Sequence, residues 1–217
     1  MELYFAPLAC SMASRIALYE AGATVTFRHV DTRAGKLDDG SDFAPVNPMG
    51  QVPALRTDDG VVLTENAVVL MHIADRFPNA GLAPESAGDR LRLQQWLSFI
   101  ATELHKLVFI PLLDRTSNDG AKEFARSKIE RRFGYLNSHL EARDYLLDRF
   151  TVADAYLVTV LNWAGFSGVA LASWPALRDY EQRMRARPTV AQAMGEELAL
   201  FRAGLARAAA TDNAKVS

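Results

Sequence analysis

The sequence predicts an α/β unit over residues 1–80 joined to an all-α unit over residues 88–207. Three observations lead there. Up to about residue 80, short apolar runs bounded by Gly and Pro alternate with stretches of helical periodicity. Beyond residue 88 strand signals nearly vanish and long amphipathic stretches take over. Between the two, Asn79-Ala80-Gly81-Leu82-Ala83-Pro84-Glu85-Ser86 has the composition of a connection, and residues 81–87 are assigned as a linker.

The first unit reads strand, helix, strand, irregular helix, strand, strand, helix. Leu3-Tyr4-Phe5 is an apolar run bounded by Pro7, and residues 11–21 place Ile16, Ala17 and Tyr19 at helical spacing before Gly22 stops them. Residues 25–30 form the next strand. Residues 52–55 and 61–63 flank Asp58-Asp59-Gly60 as a hairpin, and a helix over 67–77 closes the unit. In the second unit the periodicity predicts helices over 89–113, 120–141, 152–166, 176–186 and 189–207, with 208–217 a flexible tail. Thr151-Val152-Ala153-Asp154 is a capping-box pattern with Asp in place of Glu ahead of an apolar run.

The chain has 217 residues, 49% hydrophobic and 23% charged, which is globular content and excludes disorder. Its 24 basic and 26 acidic side chains leave a formal charge of −2, which argues against a nucleic-acid partner. Residues 155–177 carry no charge, but Asn162, Gly165, Ser167, Gly168 and Pro175 interrupt them, so a buried helix and turn are expected rather than a membrane span. The one cysteine, Cys10, excludes an internal disulfide and a multi-thiolate zinc site. With no basic leader ahead of an apolar core at the start, the expectation is a cytoplasmic protein.

Cys10 falls between the first strand and the first helix, where unpaired N–H groups and the helix dipole favour a thiolate. Cys10-Ser11-Met12-Ala13 has the layout of a dithiol redox motif without its second thiol, so the partner of Cys10 must be an external thiol or an electrophile. Ser11 suits either a hydrogen bond to a bound thiolate or a helix N-cap. Val52 precedes Pro53, which cannot donate to a sheet ladder, and leaves its backbone open to an extended peptide. Glu65 and Asn66 open the third helical stretch. Asn66 suits an N-cap, and the pair also suits the carboxylate and ammonium of an amino-acid head group. On a regular helix Ser98, Thr102 and His105 share a small polar stripe. His29, His72 and His139 have no metal-ligand spacing with it, and no metal is expected.

These features assemble into a resemblance. Cys10 after the first strand, Asn47-Pro48-Met49-Gly50-Gln51-Val52-Pro53-Ala54-Leu55, Leu63-Thr64-Glu65-Asn66 and an all-helical second half resemble the cytosolic glutathione S-transferase superfamily over nearly the whole chain. Ala9-Cys10-Ser11 and the segment from Trp96 to Lys106 are most similar to its bacterial beta class.

The resemblance implies a thioredoxin-like N-terminal domain with Pro53 cis, an all-α C-terminal domain and a homodimer. Val52 would pair with the cysteinyl part of glutathione, Glu65 and Asn66 would hold its γ-glutamyl end, and Cys10 would face its sulfur with His105 nearby. Ser98, Thr102, Glu103 and Lys106 belong to the segment that helps bind glutathione, and Lys36 stands next to Gly35, where the class commonly has a lysine for the glycyl end. The implied activity is conjugation of glutathione, a co-substrate rather than a resident cofactor, to small apolar electrophiles. Thiol-disulfide exchange or peroxide reduction through a Cys10 mixed disulfide is one alternative, and a non-catalytic binding role is another.

Overall fold

A computed structural model describes residues 1–216, with side chains up to Arg207. Strand β1 (Glu2–Phe5) is the third of five in a mixed sheet. It pairs in parallel with β2 (Thr26–Asp31), Leu3 opposite Phe27, and antiparallel with β4 (Ala54–Arg56), Leu3 opposite Leu55. The short strands β3 (Lys36–Leu37) and β5 (Val62–Leu63) flank it, giving the order β3-β2-β1-β4-β5. Parallel pairing of β1 with β2 requires a crossover, and α1 (Met12–Glu20) supplies it. Helix α2 (Asn66–Arg76) covers the same face of the sheet through Val69, Leu70 and Ile73, all buried.

One expected element is missing. No helix forms between β2 and β4: residues 38–53 hold turns and one isolated bridge, Lys36 to Asp42. Gly40, Pro45, Pro48 and Gly50 crowd this segment, and Gly40 and Gly50 adopt positive φ, which no helix accommodates.

The helical half starts at α3 (Ala87–Phe99), capped by the Ser86 hydroxyl, which accepts from the Asp89 N–H. Its axis continues through a π-helical stretch, Ile100–Phe109, into α4 (Ile110–Leu113). This rod is long and apolar enough to cross a membrane, but Leu93, Leu97, Ile100, Leu104 and Val108 are buried in the core. Helix α5 (Asp119–Leu140) packs beside it. Helix α6 (Val152–Leu161) is buried on every side, as its nearly unbroken apolar sequence requires. After the single turn α7 (Ala164–Ser167), helices α8 (Pro175–Arg185) and α9 (Pro188–Val216) complete the fold. The backbone of α9 is helical to Val216, past residue 207; Ser217 and the side chains from 208 onward, where a tail is expected, lie outside the described residues.

At the start of α6 the Asp154 carboxylate accepts from the Thr151 N–H at 2.9 Å and the Thr151 hydroxyl at 3.0 Å. It also takes the Leu146 N–H and the Tyr180 hydroxyl, both at 2.9 Å. The capping pattern read from the sequence thus ties α6 to α8 and to the loop before it.

Candidate active site around Cys10

The loop from β1 to α1 is held by its own backbone and by Ser11. The Ala9 N–H donates to the Ala6 carbonyl at 3.1 Å, and the Ser11 hydroxyl exchanges hydrogen bonds with the Ala6 N–H and C=O, both at 3.3 Å. Ser11 is wholly buried and makes no side-chain cap. Ser11 stands at the N-cap position of α1, and in the ligand-free protein its hydroxyl shapes the loop instead of capping the helix.

The Cys10 thiol donates to the Val52 carbonyl at 3.1 Å. The Val52–Pro53 peptide is cis, so the chain presents Val52 to the α1 N-terminus just before β4 begins. Asn66 reaches the same loop from α2. Its amide donates to the Cys10 carbonyl at 3.2 Å and its oxygen accepts from the Ser14 hydroxyl at 3.0 Å. The N-cap position belongs to Glu65, at φ 63° with no side-chain cap bond, and Asn66 is the first helical residue. The N-cap expectation for Asn66 fails because its amide is committed to α1. Glu65 is exposed in a left-handed conformation disfavoured for a side-chain-bearing residue.

His105 lies below this cluster, 6% exposed, with Nδ1 2.7 Å from the Tyr156 hydroxyl and its ring edge-on to Trp163. Tyr156 is buried in α6, and its hydroxyl also meets the Asn66 side chain. Cys10, Asn66, Tyr156 and His105 form one chain of polar groups leading from the loop into the core. The polar stripe expected on this helix does not form: Ser98 and Thr102 are exposed while His105 faces inward. The π-helical winding is the reason, because i→i+5 bonding changes the angular step between residues 102 and 105.

Protonation follows burial. Desolvation pushes the Cys10 thiol up to about 12, against the opposing pull of Lys106 and of the Cys10 and Ser11 N–H groups. In the ligand-free protein, desolvation thus opposes the thiolate that the helix terminus favours. Burial, with Lys106 adding to it, lowers His105 to about 4, so the imidazole is neutral at pH 7. Burial raises the Tyr156 phenol.

The first 75 residues match the family model described as the glutathione S-transferase N-terminal domain, and residues 99–188 match that of its C-terminal domain. Glutathione S-transferase GstA of Escherichia coli O157:H7 is 40% identical over 199 residues, covering 91% of this chain and 98% of that one. The chain belongs to the glutathione S-transferases. A sphingomonad glutathione S-transferase complexed with glutathione superposes at TM-score 0.87 with 42% identity, covering 91% of this chain and 98% of that one. A beta class transferase of Sphingomonas chungbukensis gives 0.87 and 40% over the same shares. The N-terminal half of this transferase is thioredoxin-like and its C-terminal half helical, as the sequence predicts.

The transferase brings together Cys10, Val52, Pro53 and Asn66 by direct contact, with Glu65 and Lys106 close enough to act on the Cys10 charge. The remaining candidates hold other partners. Thr102 donates to the Ser98 carbonyl at 3.0 Å, Glu103 pairs with Arg132, and Lys36 pairs with Asp42 at 2.7 Å. Among the described residues no group of three His, Cys, Asp or Glu is arranged to hold a metal ion.

Cavities open among the described residues. One of about 650 Å³ lies between α3 and α5 beside Trp96, Tyr135 and His139, and none of the candidate residues lines it. Another, about 420 Å³, is walled by Leu8, Phe166, Val169, Leu171, Met194 and Leu198, with the Glu181–Arg185 ion pair beside them. Leu8 sits two residues from Cys10. Sequence reasoning missed Tyr156; its one usable signal was a lone phenol inside the apolar run of α6, since a buried Tyr needs a hydrogen-bond partner.

Proposed function

We propose that this transferase conjugates glutathione to apolar electrophiles, with the tripeptide against Val52, cis Pro53, Glu65 and Asn66, its sulfur facing Cys10, and the electrophile in the cavity behind Leu8. The observation that carries this reading is the 3.1 Å bond from the Cys10 thiol to the Val52 carbonyl, because it sets the chain's one thiol beside the backbone edge that suits an extended peptide. Glu65 and the N-terminus of α2 suit the two charges of the γ-glutamyl head. In the chemical step the glutathione thiol gives its proton to water, since burial makes His105 a weak base and its Nδ1 is engaged with Tyr156. Its sulfur then bonds to the electrophilic carbon, and the leaving group departs with the bonding pair. Lys106 and the N–H groups opening α1 stabilise the developing thiolate.

A second reading has one observation in its favour, a free cysteine at the sulfur position. In that reaction the Cys10 thiol passes its proton to water, its sulfur attacks oxidised glutathione to form a Cys10–glutathione disulfide, and the released glutathione thiolate takes up a proton. The Cys10→Ala variant separates the two. Conjugation of a chlorinated nitroaromatic that survives in Cys10→Ala while disulfide exchange disappears supports both roles; exchange that persists in the variant overturns the second. Failure of the wild-type protein to bind immobilised glutathione overturns the first.

The transferase is further proposed to act as a homodimer in the cytoplasm. Exposed Met49, Val61, Val68 and Leu91 leave apolar surface for a second copy, and a reducing compartment suits a lone free thiol. Light scattering that returns a monomer mass at micromolar concentration refutes the dimer.

A further inference from the structure

Leu8 is a leucine at φ 60°, a backbone region that L side chains rarely adopt. Both of its backbone polar groups are held from the helical half. Its N–H donates to Glu197 Oε2 at 2.7 Å, and its C=O accepts from Trp163 Nε1 at 2.8 Å. The holders are themselves fixed. Glu197 is wholly buried, with Oε1 2.9 Å from Arg15 Nε, and the Arg15 guanidinium lies between the Phe5 and Phe27 rings at 4.2 and 4.1 Å. Trp163 packs on His105, 5.0 Å between ring centroids. Two residues beyond Leu8 stands Cys10, with the tight turn from Ala6 to Ala9 leaving little slack between them.

We propose that Trp163 and Glu197 are positioning residues for Cys10, acting through the backbone of Leu8. Together they impose the left-handed conformation at Leu8, and that conformation aims the Cys10 thiol at the Val52 carbonyl and sets Leu8 in the wall of the electrophile cavity. Losing either bond lets Leu8 relax to an ordinary conformation and swings Cys10 away from Val52. The inference rests on Cys10 being the residue that meets the glutathione sulfur, but its test needs no glutathione.

The test compares the rate of Cys10 alkylation by iodoacetamide in ligand-free wild type, Trp163→Phe and Glu197→Gln, with circular dichroism to verify folding, and repeats each substitution in a Leu8→Gly background. Trp163→Phe keeps an aromatic six-membered ring and removes the N–H donor together with the five-membered ring that carries it. Its alkylation rate rises about threefold or more, because the thiol leaves its acceptor. Glycine populates the left-handed region without a side-chain penalty, so Leu8→Gly returns the rate of the double variant toward wild type. Glu197→Gln, which keeps an acceptor oxygen but loses its charge against Arg15, moves the rate in the same direction by less, and serves if Trp163→Phe does not fold. Folded single variants that alkylate at the wild-type rate overturn the proposal, as does a change that Leu8→Gly leaves in place. Conjugation activity measured alongside belongs to the reaction proposed above and stands or falls separately.

Discussion

The Cys10 thiol spends its hydrogen bond on Val52, the residue whose backbone a bound peptide would need. In the ligand-free protein the two partners of the proposed reaction site therefore satisfy each other. In the proposed binding mode, a tripeptide paired with Val52 would compete for that carbonyl and leave the thiol free to meet its sulfur.

The first prediction concerns that thiol. Ultraviolet thiolate absorbance of the ligand-free protein should titrate far above the ordinary 9.0, toward about 12. Because the folded state holds this proton more tightly than the unfolded chain does, the contribution of Cys10 to stability is intact below pH 9.0 and is lost as the pH rises through about 12. A thiolate present at pH 7 would contradict the upward direction of the shift.

His105 behaves in the opposite sense. Its folded value of about 4 lies below the ordinary 6.5, so its contribution is fully present above pH 6.5 and is lost as the pH falls through 4. The loss amounts to at most ~3 kcal/mol. Proton NMR should find one imidazole titrating near 4. Tyr156→Phe removes the partner of Nδ1 and should cost ~1–3 kcal/mol in a denaturant melt.

Asn66→Ala leaves the buried Ser14 hydroxyl without its partner and takes one of two donors from the Cys10 carbonyl, which keeps the Ala13 N–H. The expected cost is ~1–3 kcal/mol. Asn66→Asp keeps the acceptor for Ser14 but places a carboxylate beside Cys10, and the conjugation rate should fall further than in Asn66→Ala at equal or better stability.

At the entry to α6, Thr151→Ala should cost about 1 kcal/mol. Asp154→Ala should cost at least ~3 kcal/mol, since it strands the Leu146 and Thr151 N–H groups and two hydroxyls in the core. Thermal melts of the two variants that coincide would deny the wider role of Asp154.

The fold was largely legible because the change of period near residue 80 is strong and each half is internally consistent. It misled at residues 38–53, where turn chemistry at five Gly and Pro positions outweighs the local helical pattern. At the site, Cys10, Val52 and Asn66 could be read from position alone. His105 could be found but not aimed, because a π-helical stretch leaves no mark in an apolar periodicity that assumes 100° per residue. Trp163 and Glu197 were hidden for a different reason: their bonds run to backbone atoms of Leu8, 155 and 189 residues away, and a backbone partner leaves no trace in residue types.

Helix α1 belongs to both halves at once. Residues from Met12 to Leu18 are buried on every side, and Glu20 receives two bonds from Arg187, at 3.0 and 2.8 Å, across the seam. Modular inheritance of this enzyme is thereby restricted. A chimera that joins the first 80 residues to a relative's helical half inherits a helix shaped for a different cradle, so its Arg15, Glu20 and Ile16 must be exchanged together with α6 and α9. Exchange of catalytic properties by shuffling halves should succeed only where the crossover carries that helix along with its receptor.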